Sequence, residues 1–577
     1  SHPGADEWCD GIDNDCDGDI DTGAVTFDVY ADNDGDGYGA GTATTDCTVR
    51  AGYSLDNTDC NDGNASVSPG ASEVCDEANA DEDCDGRVDD ADGSVTGTST
   101  YYGDVDGDGY GDPGTTSERC EGASTWVTNS SDCDDDEPEA YTGATEVCED
   151  GVDNDCAGGD PLCPIDGSLL LADADFKVEG PGDLALFGRS IDNLGDTDGD
   201  GADDLVVGAW GYGTGGTVYL LSGGAIRSGA VTGTTVTAEA ADDGLGYAVA
   251  ACGDTDGDGL GDAVLGAPEN GGGKGAVYLW GGAHGSGAAS AADDAANGAT
   301  GDGLGSALDC GHDLDGDGVS DVIAGASGTS VSYIYDAETL TKTAKFTGGS
   351  AVALLDDVNG DGLDDALVGA YTADRVYLVY GGTLANITLS SGADVAYSGE
   401  ASGDEAGAAV AGLGDIDADG YGDFGAGAPE NDTNGAAGGA AYLLLGGPSV
   451  ASASLSTGVR VAGDDGADRA GAALCTPGDV DGDGLADVMV GAYYDDAGGT
   501  GAGAAALLYG SVSLVNLDFG DTDAQFVGES DGDSAGEGVG GADVNGDGFA
   551  DVLVGAPSEQ GGGSAAGALY VWFGGGR

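Results

Sequence analysis

Positive charge is what this sequence lacks most. Lys and Arg together number 13 against 109 Asp and Glu, for a formal net charge of −96 over 577 residues. A chain this acidic repels polyanions, which excludes DNA, RNA and anionic lipid headgroups as partners. No run of 18 apolar residues occurs, so no direct membrane insertion by a helix is expected. Histidine occurs only at His2, His284 and His312, and there is no C-x-x-C pair, which leaves zinc and copper sites without their usual donors. Basic residues to hold an anionic substrate are scarce and no nucleophile–base pair stands out, so an enzyme is not expected.

What is present is acid in register. Unrelieved, so many carboxylates would repel one another, and either a salty solvent or bound cations must offset this. Glycine, at 116 residues, clusters beside Asp at fixed offsets, as turn residues do. Hydrophobic residues make up 40% and recur in short blocks, which argues against disorder.

Two repeat systems divide the chain into residues 1–165 and 166–577. In the second, the phrase D-x-[DN]-x-D-G-x-x-D occurs seven times, at intervals of 58, 59, 44, 58, 64 and 64 residues. Its ligand-type positions are Asp196, Asp198, Asp200 and Asp204; Asp254, Asp256, Asp258 and Asp262; and Asp313, Asp315, Asp317 and Asp321. They continue as Asp357, Asn359, Asp361 and Asp365; Asp415, Asp417, Asp419 and Asp423; Asp479, Asp481, Asp483 and Asp487; and Asp543, Asn545, Asp547 and Asp551. Each phrase runs into a short aliphatic stretch such as Leu205-Val206-Val207, then Gly-Ala, then a second apolar run and a more polar one. Four short strands per repeat, seven times over, predict an all-β fold, a seven-bladed β-propeller, with a β-solenoid as the alternative. The seventh unit supplies only three strands before Arg577, and Asp175-Phe176-Lys177-Val178-Glu179 is the expected fourth, latching the ring.

Residues 1–165 repeat at about 73 residues and hold eleven of the 14 cysteines, which predicts disulfides and an oxidising, extracellular compartment. With few apolar residues, this part must be held by disulfides and metal. The simplest pairing is local: Cys9–Cys16, Cys47–Cys60, Cys75–Cys84, Cys120–Cys133 and Cys148–Cys156, although sequence does not fix connectivity. Cys252 and Cys310 sit at matching points of successive blades and are candidates for a bridge.

Alternating carboxylates on a tight loop suit calcium, which takes six to eight hard oxygen ligands. The glycine after the third Asp permits the turn, and the fourth Asp closes the shell. EF-hands are excluded, because loop position twelve is Val207, Leu265 or Val554 rather than Glu. Magnesium and simple solvated turns are the alternatives, and seven copies in register favour calcium. The same phrase is complete at Asp13, Asp15, Asp17 and Asp21; at Asp81, Asp83, Asp85 and Asp89; and at Asp104, Asp106, Asp108 and Asp112. At Asp32, Asp34 and Asp36 the closing position is Ala40, and the Asp153 copy has Ala157 as its third member.

Residues 166–577 resemble FG-GAP repeats, the units of the integrin α-subunit propeller and of many bacterial surface proteins. The resemblance rests on Phe187-Gly188 and on Gly266-Ala267-Pro268, Gly427-Ala428-Pro429 and Gly555-Ala556-Pro557. It implies calcium at the Asp loops, all on one face of the ring. Residues 6–160 resemble the Cys/Asp-rich metal-binding repeats of bacterial secreted and outer-surface proteins. Together these imply an exported bacterial surface protein and no reaction. The expected function is an extracellular calcium-binding structural or adhesion protein, whose partner would be a homopolymer (a surface filament), another surface protein or a glycan. The alternatives are a glycan-binding propeller using Trp210, Tyr212, Tyr371, Tyr493 and Tyr494, and a calcium-dependent hydrolase or lyase.

Overall fold

A computed structural model describes residues 2–144, 152–154, 156 and 165–575. The chain forms two compact units, Ser1–Pro161 and Leu162–Arg577.

In the larger unit the second strand of each repeat is buried on both faces, which is why it reads as a continuous apolar run rather than an alternating one. Asp204–Ala209, Asp262–Ala267, Asp321–Ala326, Asp365–Ala370, Asp423–Ala428, Val488–Ala492 and Asp551–Ala556 are these strands. Each pairs antiparallel with an inner strand on one side and a third strand on the other, giving seven sheets. The innermost strand of each sheet lies against that of the next, and that of the seventh, Gly538–Ala542, lies against that of the first, Ile191–Gly195. The sheets are therefore blades of a closed ring. Between the first two blades Val206, Val218 and Val236 pack with Val249, Leu265 and Trp280.

The Gly-Ala element has a packing cause. A Cβ on Gly208 would collide with the carbonyl of Gly246, the glycine that follows Leu245 in the next blade. The two glycines are thus one contact, and neighbouring blades approach through it.

The expected latch is present. Phe176–Glu179 pairs antiparallel with Ala568–Trp572 and completes the seventh blade. Gly167–Leu170, just before it, adds a parallel strand to the outer edge of the sixth blade at Ala524–Val527. Similar short parallel strands cap four other blades, as Gly287–Ala288 does on Thr234–Thr237. The second blade lacks one because the third repeat turns directly from Val331–Asp336 into Thr341–Thr347, which also explains its 44-residue length. The Cys252–Cys310 bridge joins the inner strands of blades two and three.

The smaller unit contains two matching three-stranded sheets. One is built from Phe27–Ala31, Ala40–Asp46 and Tyr53–Ser54, the other from Ser99–Gly103, Asp112–Arg119 and Trp126–Val127. Among its described residues only Val29, Val67 and Ala140 are buried hydrophobics, while Trp8, Ile20 and Val25 are exposed. The expected local disulfides do not form; the pairs are Cys9–Cys47, Cys60–Cys84, Cys75–Cys120 and Cys133–Cys156. The physical reason is that Cys16, Cys84 and Cys156 each occupy the fourth position of an Asp loop, in left-handed backbone, from which Cys84 and Cys156 meet Cys60 and Cys133 of the preceding segment. Cys16 is free and exposed. Cys148 and Cys163 lie outside the described residues.

Candidate metal centres

Each propeller loop joins the first strand of a blade to its second, so all seven lie at one end of the ring. The first aspartate folds the loop around itself. Asp254 accepts from Gly257 N (2.7 Å) and Asp258 N (3.0 Å) with Oδ1, and from Gly259 N (2.8 Å) with Oδ2. Asp196, Asp313, Asp357 and Asp543 repeat this pattern, and Asp479 keeps its two glycine contacts. The third aspartate accepts from the residue two further on, as Asp258 does from Leu260 N (2.9 Å). Position four is left-handed glycine in six loops; in the Asp415 loop it is Ala418, at φ 64°.

The closing aspartates differ from the others in being buried, none more than 3% exposed. In six of the seven the carboxylate spans two elements. Asp487 takes Val480 N (2.7 Å) from the second loop position on Oδ2 and Gly510 N (2.8 Å) from just beyond the third strand on Oδ1. Asp365, Asp423 and Asp551 do the same. In Asp204 the Oδ2 atom takes both the backbone N–H and the hydroxyl of Thr197. Burial pushes the closing carboxyls of Asp321, Asp365, Asp423, Asp487 and Asp551 up to about 7, with backbone hydrogen bonds pulling the other way. Adjacent loops are also tied together. Asp203 N donates to Asp543 O (2.7 Å), Gly422 N to Asp357 O (3.1 Å), Ala486 N to Asp415 O (3.2 Å) and Ala550 N to Asp479 O (3.0 Å).

In the smaller unit the closing role is redistributed. In the Asp13 loop, Asp13 accepts from Gly18 N (3.0 Å), Asp15 from Asp17 N (3.1 Å) and Asp17 from Asp19 N (2.8 Å). The N–H of its second residue, Asn14, goes to Glu7 (2.8 Å), not to Asp21, which instead accepts from Asp10 N and Gly11 N. Glu7, Asp13 and Asp15 bring carboxylate oxygens within 4.8 Å of one another. The Asp81 loop matches: Glu82 N and Asp89 N donate to the buried Glu73 (3.0 and 3.1 Å). Within it Asp81 accepts from Gly86 N, Asp83 from Asp85 N and Asp85 from Arg87 N. Sequence reading missed Glu7 and Glu73; their common place two residues before Cys9 and Cys75 was the available signal.

Asp32 and Asp104 fold their loops as in the propeller, accepting from Gly35 N and Gly107 N (2.7 Å each), and Asp36 and Asp108 accept from Tyr38 N and Tyr110 N. Asp112 is turned elsewhere: Thr115 and Gly114 hydrogen-bond it and hold its carboxyl below the usual range. Most of the Asp153 copy, Ala157 included, lies outside the described residues.

These donor sets are all oxygen, which suits a hard cation. The sulfurs of Cys84 and Cys156 are oxidised in disulfides, the ring of His284 engages Asp293 (2.9 Å), and the ring of His312, next to the Asp313 loop, lies 3.5 Å from Asp364. On the opposite end of the ring, Trp210 packs edge-on against Tyr247 of the next blade (5.5 Å). Tyr494, 47% exposed, lies beside Tyr493 and 5.4 Å from the Arg469 guanidinium, in a pocket of about 600 Å³ with Thr500 and Ser534.

Comparison with known proteins agrees with this division. FG-GAP repeats match residues 245–280, 470–508 and 535–572, each including one Asp loop and the Gly-Ala after it. A family named Cu-binding MopE and described as "Putative metal-binding motif" matches residues 1–22, 59–90 and 132–160. The chain is similar to one in a crystal structure of BBS1N in complex with ARL6DN, soaked with mercury, at 11% identity. That match covers 71% of this chain and 96% of the other, with a TM-score of 0.37. No curated protein matches.

Proposed function

We propose that this protein is an extracellular calcium-binding scaffold of the bacterial surface, working in adhesion or as a structural unit. The observation that carries the reading is the set of seven propeller loops at one end of the ring, with backbone hydrogen bonds tying neighbouring loops at four of the seven junctions. A cation in each loop would neutralise its carboxylates and stiffen the blade junctions together. Calcium is favoured over copper because the loop donors are carboxylates on flexible turns, and the one imidazole beside a propeller loop in a carboxylate cluster among the described residues, His312, adjoins only the Asp313 and Asp357 loops. In this reading the chain catalyses no reaction. Elemental analysis of protein dialysed against equal calcium and copper tests the metal: several calcium ions per chain and little copper are expected, and the reverse would overturn it.

Self-assembly into a filament is part of the proposal, since two unlike units on one chain allow head-to-tail contacts that do not close. Electron micrographs in calcium buffer should show fibres; a monodisperse monomer at high concentration would count against it. The pocket beside Tyr494 favours a second reading, glycan binding, because an exposed aromatic ring with hydroxyl groups around it suits a sugar face. Loss of binding on a glycan array in Tyr494→Ala would support it, and no glycan bound by the parent protein would remove it.

A further inference from the structure

The Asp32 and Asp104 loops lack what closes every propeller loop, a buried carboxylate on the N–H of the second residue. Both take a half-buried carboxylate from elsewhere in the chain. Asn33 N donates to Asp62 Oδ1 (2.7 Å) and Asn33 Nδ2 to Asp62 Oδ2 (2.5 Å), while Val105 N donates to Asp135 Oδ1 (2.7 Å). Asp62 and Asp135 belong to matching phrases, Asp59-Cys60-Asn61-Asp62 and Asp132-Cys133-Asp134-Asp135. The first aspartate of each phrase is also turned to the loop. Asp59 is 7% exposed and Asp132 3%. One oxygen of each is fixed by a backbone N–H, of Asn61 (2.7 Å) and Asp134 (2.9 Å).

The remaining oxygens carry the argument. The Oδ2 atoms of Asp34, Asp36 and Asp59 are sealed from solvent and accept no hydrogen bond. So are those of Asp106, Asp108 and Asp132, the same atoms one repeat later. Oxygens of Asp34, Asp36 and Asp59 lie within 4.8 Å of one another, as do oxygens of Asp32, Asp34 and Asp62. Buried acceptors without donors are costly, and like charges at this range add to the cost. Six matched orphans in two repeats point to one missing partner with positive charge.

We propose that each D-C-x-D phrase supplies the closing carboxylates of a hard divalent cation site, calcium by its all-oxygen donors, whose other ligands are the D-x-D-x-D loop of the preceding sheet. One site is Asp32, Asp34, Asp36, Asp59 and Asp62; the other is Asp104, Asp106, Asp108, Asp132 and Asp135. This explains why Ala40 is tolerated and why Asp112 is turned away. It also makes the cation a structural joint. Cys60 and Cys133, between the closing ligands, are bonded to Cys84 and Cys156 in the following motif, so cation and disulfide together fasten each sheet to that motif.

The inference rests on the calcium reading above. Its test uses the full chain, with calcium counted per chain after dialysis and local hydrogen exchange followed by mass spectrometry. Asp59→Asn with Asp132→Asn should lose about two calcium ions per chain. Its peptides from 30–62 and 102–135 should exchange as fast as those of the chelated parent, with propeller peptides unchanged. Asp34→Asn with Asp106→Asn, which alters the more open side of the same sites, should lose the same ions, and Asp112→Asn none. Parental calcium count and protection in both double variants would overturn the inference. A parent chain that binds no calcium would instead overturn the calcium reading as a whole.

Discussion

The propeller and the cysteine-rich unit use the same Asp loop in opposite circumstances. In the propeller the closing aspartate is the first residue of a fully buried strand, or, at Asp487, the residue just before it, eight positions after the loop begins, as in Asp543 to Asp551. The core holds the carboxylate in place, and the loop is an attachment to a sheet that has other support. In the smaller unit, with Val29, Val67 and Ala140 as the buried hydrophobics among its described residues, no core fixes a closing residue nearby. The group that takes the second N–H comes from before the loop, as Glu7 and Glu73 do, or from about thirty residues after it, as Asp62 and Asp135 do. On the proposed reading, a cation would reinforce the fold where hydrophobic burial is plentiful, and where burial is scarce crosslinks and cations would take its place.

Breaking a disulfide in each unit should separate them most. Replacing Cys75 and Cys120 by alanine is expected to cost about 2–5 kcal/mol and to unfold the smaller unit. The same change at Cys252 and Cys310 should leave the propeller folded, because inter-blade packing remains. Circular dichroism with limited proteolysis would distinguish the two, and equal damage would contradict the comparison. Next in size is Asp551→Ala, which leaves Val544 N and Gly574 N without their acceptor and should cost roughly 2–4 kcal/mol in propeller unfolding. Asp21→Ala, in a loop closed by Glu7, should leave propeller unfolding unchanged.

The pH dependence sharpens the contrast between metal-free and loaded propeller. The closing carboxyls raised to about 7 in the folded chain return to about 4 when it unfolds. The folded state therefore binds their protons more tightly. The cost of burying these charges is full above pH 7 and disappears below about pH 4. Metal-free propeller should gain melting temperature on going from pH 8 to pH 5. Calcium-loaded propeller should lose it, since its ligands must stay ionised. Slopes of the same sign would contradict the loop assignment. The smallest effect is at Ala418, the one alanine in left-handed backbone at position four of a propeller loop; Ala418→Gly should stabilise by about 1 kcal/mol in thermal unfolding.

Much of the propeller is legible in the sequence because its signals are local and repeated. The Asp phrase, the apolar run after it and the Gly-Ala element sit within about fifteen residues, and the latch at Phe176–Glu179 follows from counting strands. The capping strands were not legible. Gly287–Ala288 and its counterparts pair over two residues, too few to show a pattern. In the smaller unit the partners of Cys9, Cys60 and Cys75 and the acceptors Asp59 and Asp62 are set by three-dimensional proximity across more than twenty residues, which spacing does not encode. Glu7 and Glu73 are a different case: their shared place two residues before Cys9 and Cys75 is visible in the sequence, but its meaning depends on the loop N–H groups from which they accept.

Thermal unfolding of the full chain with millimolar calcium and with excess chelator, followed by hydrogen exchange in both units, tests the central claim most directly. The account predicts that chelation abolishes protection in the smaller unit at ambient temperature and lowers the propeller transition while leaving its buried second strands protected. Unchanged melting and equal protection with and without calcium would mean that the aspartate loops are solvated turns and that metal organises neither unit.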